Sequence, residues 1–508
     1  MNSSRQRHIE IMDTTLRDGE QTSGVSFSAS EKLTLAQLLL TEVKVDRIEV
    51  ASARVSDGEF DAVKRITDWA AANGHIDKVE VLTFVDGDTS INWMEKAGAR
   101  VLNLLTKGSM NHLEHQLKKT PRQHFDDIAA VIALASKKGI SCNVYLEDWS
   151  NGMRHSKDYV FQYLDFIVTQ PVKRIMLPDT LGVLLPEETF EYVSEIRVRY
   201  PDAHFDFHGH NDYDLSVANA LKAVDAGADG LHLTVNGMGE RAGNTPLASV
   251  VAVLNDYRKD VYTSIPEKSL YKISRLVEAF SGFRVSLNKP VVGENVFTQT
   301  AGIHADGDKK KNLYYNDLIP ERFGRKRKYA LGKTSGKANI ENNLQQLGIQ
   351  LSDEDLKKVT QRIIELGDRK EVVTQADLPF IISDVLDSDA ISEKVHVENY
   401  VLTHSKNMRP STTVRVKFED GVMEENAQGD GQYDAFMNAL HKIYAHKKMQ
   451  LPKLSDYVVR IPPGGKSDAL CETIITWDFN GREFTTTGLD SDQTVAAIKA
   501  TQKMLNLI

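Results

Sequence analysis

The chain has 508 residues, of which 41% are hydrophobic and 26% charged, and this is enough for two or three domains with full hydrophobic cores. Its formal net charge of -9 argues against nucleic-acid binding, which needs a basic surface, and favours small-molecule partners. With Cys142 and Cys471 as its only cysteines, the chain offers neither a disulfide framework nor a cysteine zinc site.

The N-terminal residues lead directly into a strand pattern without an apolar signal segment. No apolar run in the chain is long enough to span a bilayer. We therefore expect a cytoplasmic protein without membrane partners.

The first half of the chain alternates short apolar runs with amphipathic helical patterns. We predict strands at 8–12, 46–51, 78–84, 100–105, 141–146, 174–177, 204–208 and 230–235, and helices at 30–42, 59–73, 121–138, 157–169, 186–200 and 215–226. Eight β/α units in roughly 250 residues predict an α/β fold with a (β/α)₈ TIM barrel. A doubly wound open sheet is the alternative.

Polar residues follow several of these strands, at the end where a TIM barrel carries its active site. They are Asp18 after the first strand, Glu147 after the fifth, Asp179 and Thr180 after the sixth, His208 and His210 after the seventh, and residues 236–244 after the eighth. Read alone, these residues could be turns, helix caps or surface ion pairs. Their shared placement favours a functional site.

His208 and His210 stand two residues apart at a strand end and therefore project to the same side. Together with Asp18 they form a ligand set for a divalent metal ion such as Mn²⁺, Mg²⁺ or Zn²⁺, with positions left open for substrate. A 2-oxo acid can chelate such an ion, and Arg17 could stabilise the alkoxide that develops on its keto oxygen. The alternatives are histidines that only hydrogen-bond their neighbours and a non-haem iron oxygenase.

Three runs of sequence resemble the family of 2-isopropylmalate, homocitrate and citramalate synthases, which are TIM-barrel enzymes that condense an acyl-CoA with a 2-oxo acid. The runs are TLRDGEQ at 15–21, HGHND at 208–212 and NGMGERAGN at 236–244. The resemblance extends over nearly the whole chain and is strongest to the citramalate-forming branch. It implies a metal-dependent Claisen-type condensation of acetyl-CoA with pyruvate to (R)-citramalate and CoA, as a feedback-regulated step of isoleucine biosynthesis.

The condensation requires a base that enolises the acetyl group, and Glu147 is the first candidate because it follows a strand two residues after Tyr145. Its alternative role is to orient Arg17. The resemblance implies that Thr180 hydrogen-bonds the substrate carboxylate. It also implies that His304 and Tyr314 reach the active site of a neighbouring subunit, where His304 would assist proton transfer; a loop histidine could instead be structural.

The resemblance assigns the pocket for the substrate side chain to Leu82, Leu105 and Tyr145, which are bulky and largely apolar. They leave space for little more than a methyl group, and forcing in an isopropyl group would cost roughly 1–3 kcal/mol. We therefore expect pyruvate rather than 2-oxoisovalerate as the acceptor. The leucines could also be simple barrel filling.

We expect a catalytic domain at 1–260, linking subdomains at 261–390 and a regulatory domain at 391–508. The middle part carries a basic run at 322–328, which we interpret as a solvated or inter-subunit surface, with a role in holding CoA phosphates as a lesser possibility. The resemblance implies that this region links the domains and contributes to a homodimer.

The C-terminal part repeats a pattern of three strands and one helix, which predicts an α+β domain of two βββα units. It resembles the family's feedback-regulatory domain, with isoleucine or leucine as the amino-acid effector. The resemblance implies an effector pocket lined by Tyr433, Asp434, Leu454, Tyr457, Ile461 and Gln493. Cys471 departs from the branched aliphatic residue expected in this pocket, and a pure dimerisation module is the alternative.

Two other functions remain open. The first is a 2-isopropylmalate synthase of leucine biosynthesis, which would take 2-oxoisovalerate as the acceptor. The second belongs to another class, a non-catalytic amino-acid sensor, and is disfavoured because the candidate metal and catalytic residues are all present. An aldol-type lyase is disfavoured by the regulatory C-terminal part.

Overall fold

In a computed structural model of the chain, the described residues are 6–301, 316–347, 349–368, 373, 375–386, 395–460 and 471–508. The chain divides into two compact units, Met1–Phe297 with Asn316–Lys326, and Thr298–Tyr315 with Arg327–Ile508. Within the described residues, no helix is long and apolar enough to cross a membrane.

The first unit is built on a closed barrel of eight parallel strands. The strands are β1 (Glu10–Asp13), β2 (Arg47–Ser52), β3 (Val79–Phe84), β4 (Val101–Lys107), β5 (Ser141–Glu147), β6 (Val172–Asp179), β7 (Phe205–Gly209) and β8 (Gly230–Leu233). The barrel closes where β8 pairs with β1, with Leu233 opposite Asp13. The predicted TIM barrel is therefore confirmed, and the open-sheet alternative is wrong.

A helix follows every barrel strand and packs on its outer side. These helices are α1 (Ala29–Leu38), α2 (Asp57–Ala72), α3 (Thr89–Ala97), α4 (Pro121–Lys137), α5 (Lys157–Ile167), α6 (Pro186–Arg199), α7 (Ser216–Asp225) and α8 (Leu247–Tyr257). Local signals set their starts: Ser28 and Glu31 form a capping box before α1. Thr120 and Gln123 form another before α4, whose first residue is Pro121.

The interior of this barrel carries charged side chains. TIM barrels are normally filled by branched aliphatic side chains, so this interior is unusual. Arg47 of β2 donates to Asp206 of β7 at 2.6 Å and to Glu80 of β3 at 3.2 Å. Gly230 of β8 makes room for this cluster, since a Cβ there would overlap the Asp206 carboxylate. All three charged groups are buried, so each depends on the others for its stability.

Two arginines of the basic run at 322–328, Arg322 and Arg325, belong to the first unit and contact its side chains. After α9 (Lys268–Ser281), Arg322 donates to Glu267 at 2.9 Å and lies 2.7 Å from Asp256. The guanidinium of Arg325 lies over the ring of Tyr271, 4.4 Å from its centroid, and donates to backbone carbonyls. Our interpretation of this run as a solvated surface is wrong for Arg322 and Arg325, because both side chains are pinned by buried or half-buried partners.

The second unit contains a helical part, as predicted for the linking region. Its helices are α10 (Lys337–Leu347), α11 (Asp353–Asp368) and α12 (Leu378–Leu386). They share a small core of aliphatic side chains in which Ile340, Val359 and Leu378 are fully buried.

The C-terminal part consists of two βββα units, as predicted. The first comprises β9 (Val395–Thr403), β10 (Ser411–Phe418), β11 (Gly421–Gln428) and α13 (Gln432–His446), and the second β12 (Lys453–Arg460), β13 (Cys471–Phe479), β14 (Arg482–Asp490) and α14 (Gln493–Leu505). Equivalent residues of the two units make the same hydrogen bond: Thr412 donates to the backbone carbonyl of Gln432, and Thr473 donates to that of Gln493. Both units contribute to one hydrophobic core.

Candidate active site

Asp18, His208 and His210 meet at the carboxyl-terminal mouth of the barrel. The carboxylate Oδ2 of Asp18 lies 3.3 Å from Nε2 of His208 and 3.8 Å from Nε2 of His210. The three side chains are buried and each offers a ligand atom within 4.8 Å of the others. The turn after β1 and the end of β7 therefore bring together the three predicted metal ligands.

The chemistry of this cluster fits a divalent cation. Within the described residues, Asp18 Oδ1 and the Nδ1 atoms of His208 and His210 are buried without hydrogen-bond partners, which is rare for polar atoms. Burial opposes ionisation of Asp18, but the charge of Arg17 and a hydrogen bond from His208 hold its pKa below the ordinary value. Burial lowers the pKa of His210 to about 4, so its ring is neutral at pH 7, as a metal ligand must be.

Arg17 is held over this cluster by a carboxylate that the sequence analysis did not identify. Its Nε donates to Oε2 of Glu49 at 2.6 Å, and its Nη1 lies 3.3 Å from Oδ2 of Asp18. Glu49 also accepts hydrogen bonds from Thr14 at 2.7 Å and Asn103 at 2.8 Å, which fix its orientation. The available signal was a glutamate flanked by Ile48 and Val50 in strand β2, because a glutamate is seldom buried without a partner.

Glu147 lies at the end of β5 and forms an ion pair with Lys107, its register partner at the end of β4. Lys107 is 7% exposed and the Glu147 side chain 23% exposed, so this pair stands at the rim of the barrel mouth. Within the described residues, the ionic partners of Arg17 are Glu49 and Asp18. Glu49, and not Glu147, therefore orients Arg17, so the alternative role of Glu147 is wrong.

Leu82, Leu105 and Tyr145 lie together inside the barrel, where they pack with Met12 and Met176 in one apolar cluster. The ring of Tyr145 meets that of His208 edge to face at 6.0 Å between centroids, and the Arg17 guanidinium carbon lies 5.9 Å from the tyrosine centroid. The predicted side-chain pocket thus adjoins the predicted metal ligands. The two methionines were missed because apolar residues on strands carry no functional signal.

The hydroxyl of Tyr145 has a buried partner that was also missed, His232 of β8. The hydroxyl oxygen lies 2.9 Å from Nδ1 of His232, whose Nε2 lies 3.1 Å from Oδ2 of Asp206. Burial lowers the pKa of His232 to about 4, so its ring is neutral at pH 7. A polar chain therefore connects the charged barrel interior with the site.

Thr180 follows β6 and links two loops at the mouth. Its hydroxyl accepts a hydrogen bond from the backbone N–H of Asp148 at 2.9 Å, so its own hydrogen stays available for a ligand. Its carbonyl accepts from Arg241 at 2.7 Å, and Arg241 also donates to both carboxylate oxygens of Asp212 at 2.8 and 3.0 Å. Arg241, in the loop after β8, thus connects that loop with the loops after β6 and β7, and it also pairs with Glu240.

The loop 236–244 brings Asn244 beside His210 of the candidate metal site. Asn244 forms a backbone bridge with His210, and its Oδ1 is buried without a partner within the described residues. Its Nδ2 passes so close to Gly239 that a Cβ at this glycine would overlap it. The absence of a side chain at Gly239 therefore leaves room for the buried side chain of Asn244, a member of the run 236–244 to which the sequence analysis gave no role of its own.

Three predicted site residues, His304, Tyr314 and Ile461, lie outside the described residues. In the C-terminal part, the rings of Tyr433 and Tyr457 lie 5.4 Å apart, and Tyr457 hydrogen-bonds Gln493. Asp434, in the first turn of α13, accepts from the backbone N–H of Asp430 in the preceding loop, and Leu454 is 45% exposed. The structure brings together three of the predicted effector residues, Tyr433, Tyr457 and Gln493.

Three family models together match most of the chain. The HMGL-like model matches residues 8–277, the homocitrate synthase post-HMGL domain-like model 291–371, and the LeuA allosteric (dimerisation) domain model 372–508. The first spans more than half of the chain and contains every residue of the barrel mouth described above.

Full-length relatives are similar across all of these regions. A putative (R)-citramalate synthase of Methanopyrus kandleri is 35% identical over 91% of this chain and 88% of its own length. One of Archaeoglobus fulgidus is 34% identical over 98% and 99%. A 2-isopropylmalate synthase of Methanocaldococcus jannaschii is 34% identical over 98% of this chain and 94% of its own length.

Proposed function

The chain belongs to the HMGL-like family, in the group of citramalate and 2-isopropylmalate synthases, and from this premise we propose that it condenses acetyl-CoA with pyruvate. Acetyl-CoA, pyruvate and water would give (R)-citramalate and free CoA. Membership of this group confirms the resemblance drawn from the three sequence runs and makes the chain an acyltransferase-type synthase.

One observation carries the proposal: the cluster of Asp18, His208 and His210 lies beside both Arg17 and the apolar pocket. Enzymes of the HMGL-like family generally use a divalent metal, and these three side chains would hold it. When bound, the ion polarises the keto carbonyl of the 2-oxo acid. Arg17, fixed by Glu49, donates to the keto oxygen as negative charge develops there.

The size of the pocket supports pyruvate as the acceptor. Leu82 is 6% exposed and Tyr145 3% exposed, with Met12 and Met176 packed behind them. A methyl group fits against such a wall, whereas an isopropyl group would require side chains to leave their positions, at roughly 1–3 kcal/mol. The hydroxyl oxygen of Thr180 accepts from the Asp148 N–H, and the hydroxyl would donate its hydrogen to the substrate carboxylate.

Glu147 is the proposed base that enolises the acetyl group. It stands at the rim of the mouth, where a methyl group of acetyl-CoA can approach, and Lys107 holds its side chain in place. A proton passed to a carboxylate in this position leaves an enolate that attacks the keto carbon. His304 and Tyr314 would assist from a neighbouring subunit, which makes a homodimer part of the proposal.

We further propose that the C-terminal part binds isoleucine or leucine as a feedback effector. The matched LeuA allosteric (dimerisation) domain and the grouping of Tyr433, Tyr457 and Gln493 support this. We also propose that the catalytic part ends near residue 260 and the linking part near residue 390. The proposed location is cytoplasmic.

A 2-isopropylmalate synthase is the second candidate, because relatives with that name are as similar to this chain as those named citramalate synthase. The non-catalytic sensor has no support, since the buried metal-ligand cluster and Arg17 are intact.

The proposal is tested by the release of CoA thiol from acetyl-CoA in the presence of pyruvate or 2-oxoisovalerate. We expect rapid release with pyruvate, loss of activity after chelation and recovery on addition of Mn²⁺. Faster turnover of 2-oxoisovalerate would favour the second candidate. Metal-independent release, or none with either acid, would refute the proposal.

A further inference from the structure

We propose that His232 is a positioning residue that fixes the hydroxyl of Tyr145 and thereby sets the size limit of the 2-oxo acid pocket. This inference rests on the proposed function, because it concerns the acceptor of the same reaction. The ring of His232 also meets that of His208 edge to face, at 5.6 Å between centroids, but its hydrogen bond at the pocket is the one to Tyr145, and we infer that its effect on the acceptor passes through that bond.

The geometry is a chain of three buried groups inside the barrel: Asp206 of β7, His232 of the adjacent strand β8, and Tyr145 of β5, a strand that pairs with neither. Asp206 and His208 lie on β7, and His232 lies opposite His208 on β8. Nε2 of His232 lies 3.1 Å from Asp206, and its Nδ1 lies 2.9 Å from the Tyr145 hydroxyl. Because all of these groups stand on barrel strands rather than on loops, their positions are set by the strand register.

The direction of the hydrogen bonds follows from the ends of the chain. The Asp206 carboxylate is paired with Arg47 at 2.6 Å, so it is ionised and can only accept. Nε2 of His232 must therefore carry the ring hydrogen and donate it to Asp206. Nδ1 is then an acceptor, and the hydroxyl of Tyr145 donates to it.

A competing acceptor for Tyr145 is Glu49, but it lies 3.5 Å away and already accepts from Arg17 and Thr14. The contact with His232 is shorter by far and is the one that determines the hydroxyl direction. Tyr145 thus points its hydrogen at the barrel wall and presents its ring to the pocket. A ring that turned away to admit a larger substrate would leave two buried polar atoms unpaired.

Removal of the His232 ring should release this restraint without leaving Asp206 unpaired. Asp206 keeps Arg47 and also accepts from His204 at 2.9 Å. His232→Leu preserves most of the buried volume, so the main change is the loss of the acceptor for Tyr145. His232→Asn keeps a carbonyl oxygen near the position of Nδ1 and serves as the matched control.

The experiment measures kcat/KM for pyruvate and for 2-oxobutanoate in the full-length chain. We expect the preference for pyruvate to fall about tenfold in His232→Leu, the size of effect that one methylene has in a tight pocket. His232→Asn should recover most of the preference. In a Tyr145→Phe background, His232→Leu should change the preference no further, because the interaction is already absent.

An unchanged preference in His232→Leu, with both acids slowed equally, would overturn the proposal and leave His232 a structural residue. A second readout is independent of turnover: the ratio of the affinities for the two acids in Mn²⁺-loaded protein, measured by calorimetry. If neither the wild type nor any variant releases CoA, but the preference in affinity for pyruvate over 2-oxobutanoate falls in His232→Leu, the proposed reaction fails while the role of His232 stands. If the wild-type chain releases CoA and neither ratio moves, the role of His232 fails alone.

Discussion

Glu49 Oε2 lies 2.6 Å from both Nε and Nη2 of Arg17, so one buried carboxylate oxygen sets the orientation of the arginine beside the proposed metal ligands. A guanidinium bound through two nitrogens has little freedom to turn. This pair links β2 of the barrel to the turn after β1, and it decides which way the remaining N–H groups of Arg17 point.

Substitution of Glu49 by glutamine should lower kcat for CoA release by about 10²–10³, because Arg17 loses its fixed direction as the alkoxide develops. The KM for acetyl-CoA should change little. Steady-state kinetics with saturating Mn²⁺ measure both values. Glu188→Gln is the matched control, since Glu188 also pairs with an arginine, Arg154, but outside the site; equal losses in the two variants would contradict the role of Glu49.

Substitution of His208 and His210 together by alanine should abolish Mn²⁺ binding, which can be followed by calorimetry or by the electron paramagnetic resonance of the free ion. Two of the three ligands are then gone, and one buried carboxylate cannot hold a divalent ion alone. His204→Ala is the control, because His204 precedes the same strand and pairs with Asp206 instead. Retention of stoichiometric Mn²⁺ in the double variant would show that the ion binds elsewhere.

Substitution of Leu105 by alanine should raise kcat/KM for 2-oxoisovalerate relative to pyruvate by at least about tenfold, because it removes one wall of the apolar cluster. Leu104 is the matched control on the same strand, since its side chain is buried on the opposite face, towards the helices. Leu104→Ala should lower stability by roughly 2–5 kcal/mol without changing the preference. Similar preferences in the two variants would mean that Leu105 does not line the pocket.

Burial of His124 should make the folded protein lose stability in mild acid, because this side chain binds a proton more readily in the unfolded chain. Burial lowers its pKa to about 4, whereas in the unfolded chain it is about 6.5. The unfolded state therefore binds the proton first, and stability is present above the unfolded pKa and is lost as the pH falls towards 4. The loss attributable to this group between pH 7 and pH 5 is about 2 kcal/mol.

The measurement for His124 is the thermal unfolding midpoint of the wild type and of His124→Gln at pH 7 and pH 5. The comparison uses the difference between the two pH values, because the substitution also removes a hydrogen bond that His124 Nε2 accepts from the backbone N–H of Lys107. We expect a smaller acid-induced decrease in the variant. An identical decrease would assign the acid sensitivity to other groups.

Much of the fold was predictable because its signals are local. Alternation of short apolar strands with amphipathic helices predicted the barrel, and the repeated three-strand and one-helix pattern predicted the C-terminal units. The helix starts at Ser28 and Thr120 are each marked by a capping box, whose two residues lie within four positions of each other. The positions of Asp18, His208 and His210 could be predicted because parallel strands place their carboxyl ends at one mouth.

The partners of these residues could not be predicted in the same way. Glu49, His232 and Asn244 lie on strands or in a loop far along the chain from Arg17, Tyr145 and His210, the residues that they contact or adjoin. Nothing in the local sequence states which interior side chains will face each other, because that depends on the stagger of the strands when the barrel closes.

By itself, therefore, the sequence determined the strands and helices, the ends of strands that carry polar groups, and the chemical types of the metal ligands, since each follows from periodicity and neighbouring residues. The tertiary structure alone decided that Glu49 rather than Glu147 orients Arg17, that His232 holds Tyr145, and that Arg322 and Arg325 are anchored rather than solvated. The physical reason is that short-range side-chain interactions between distant segments exist only once the closed barrel has fixed their register.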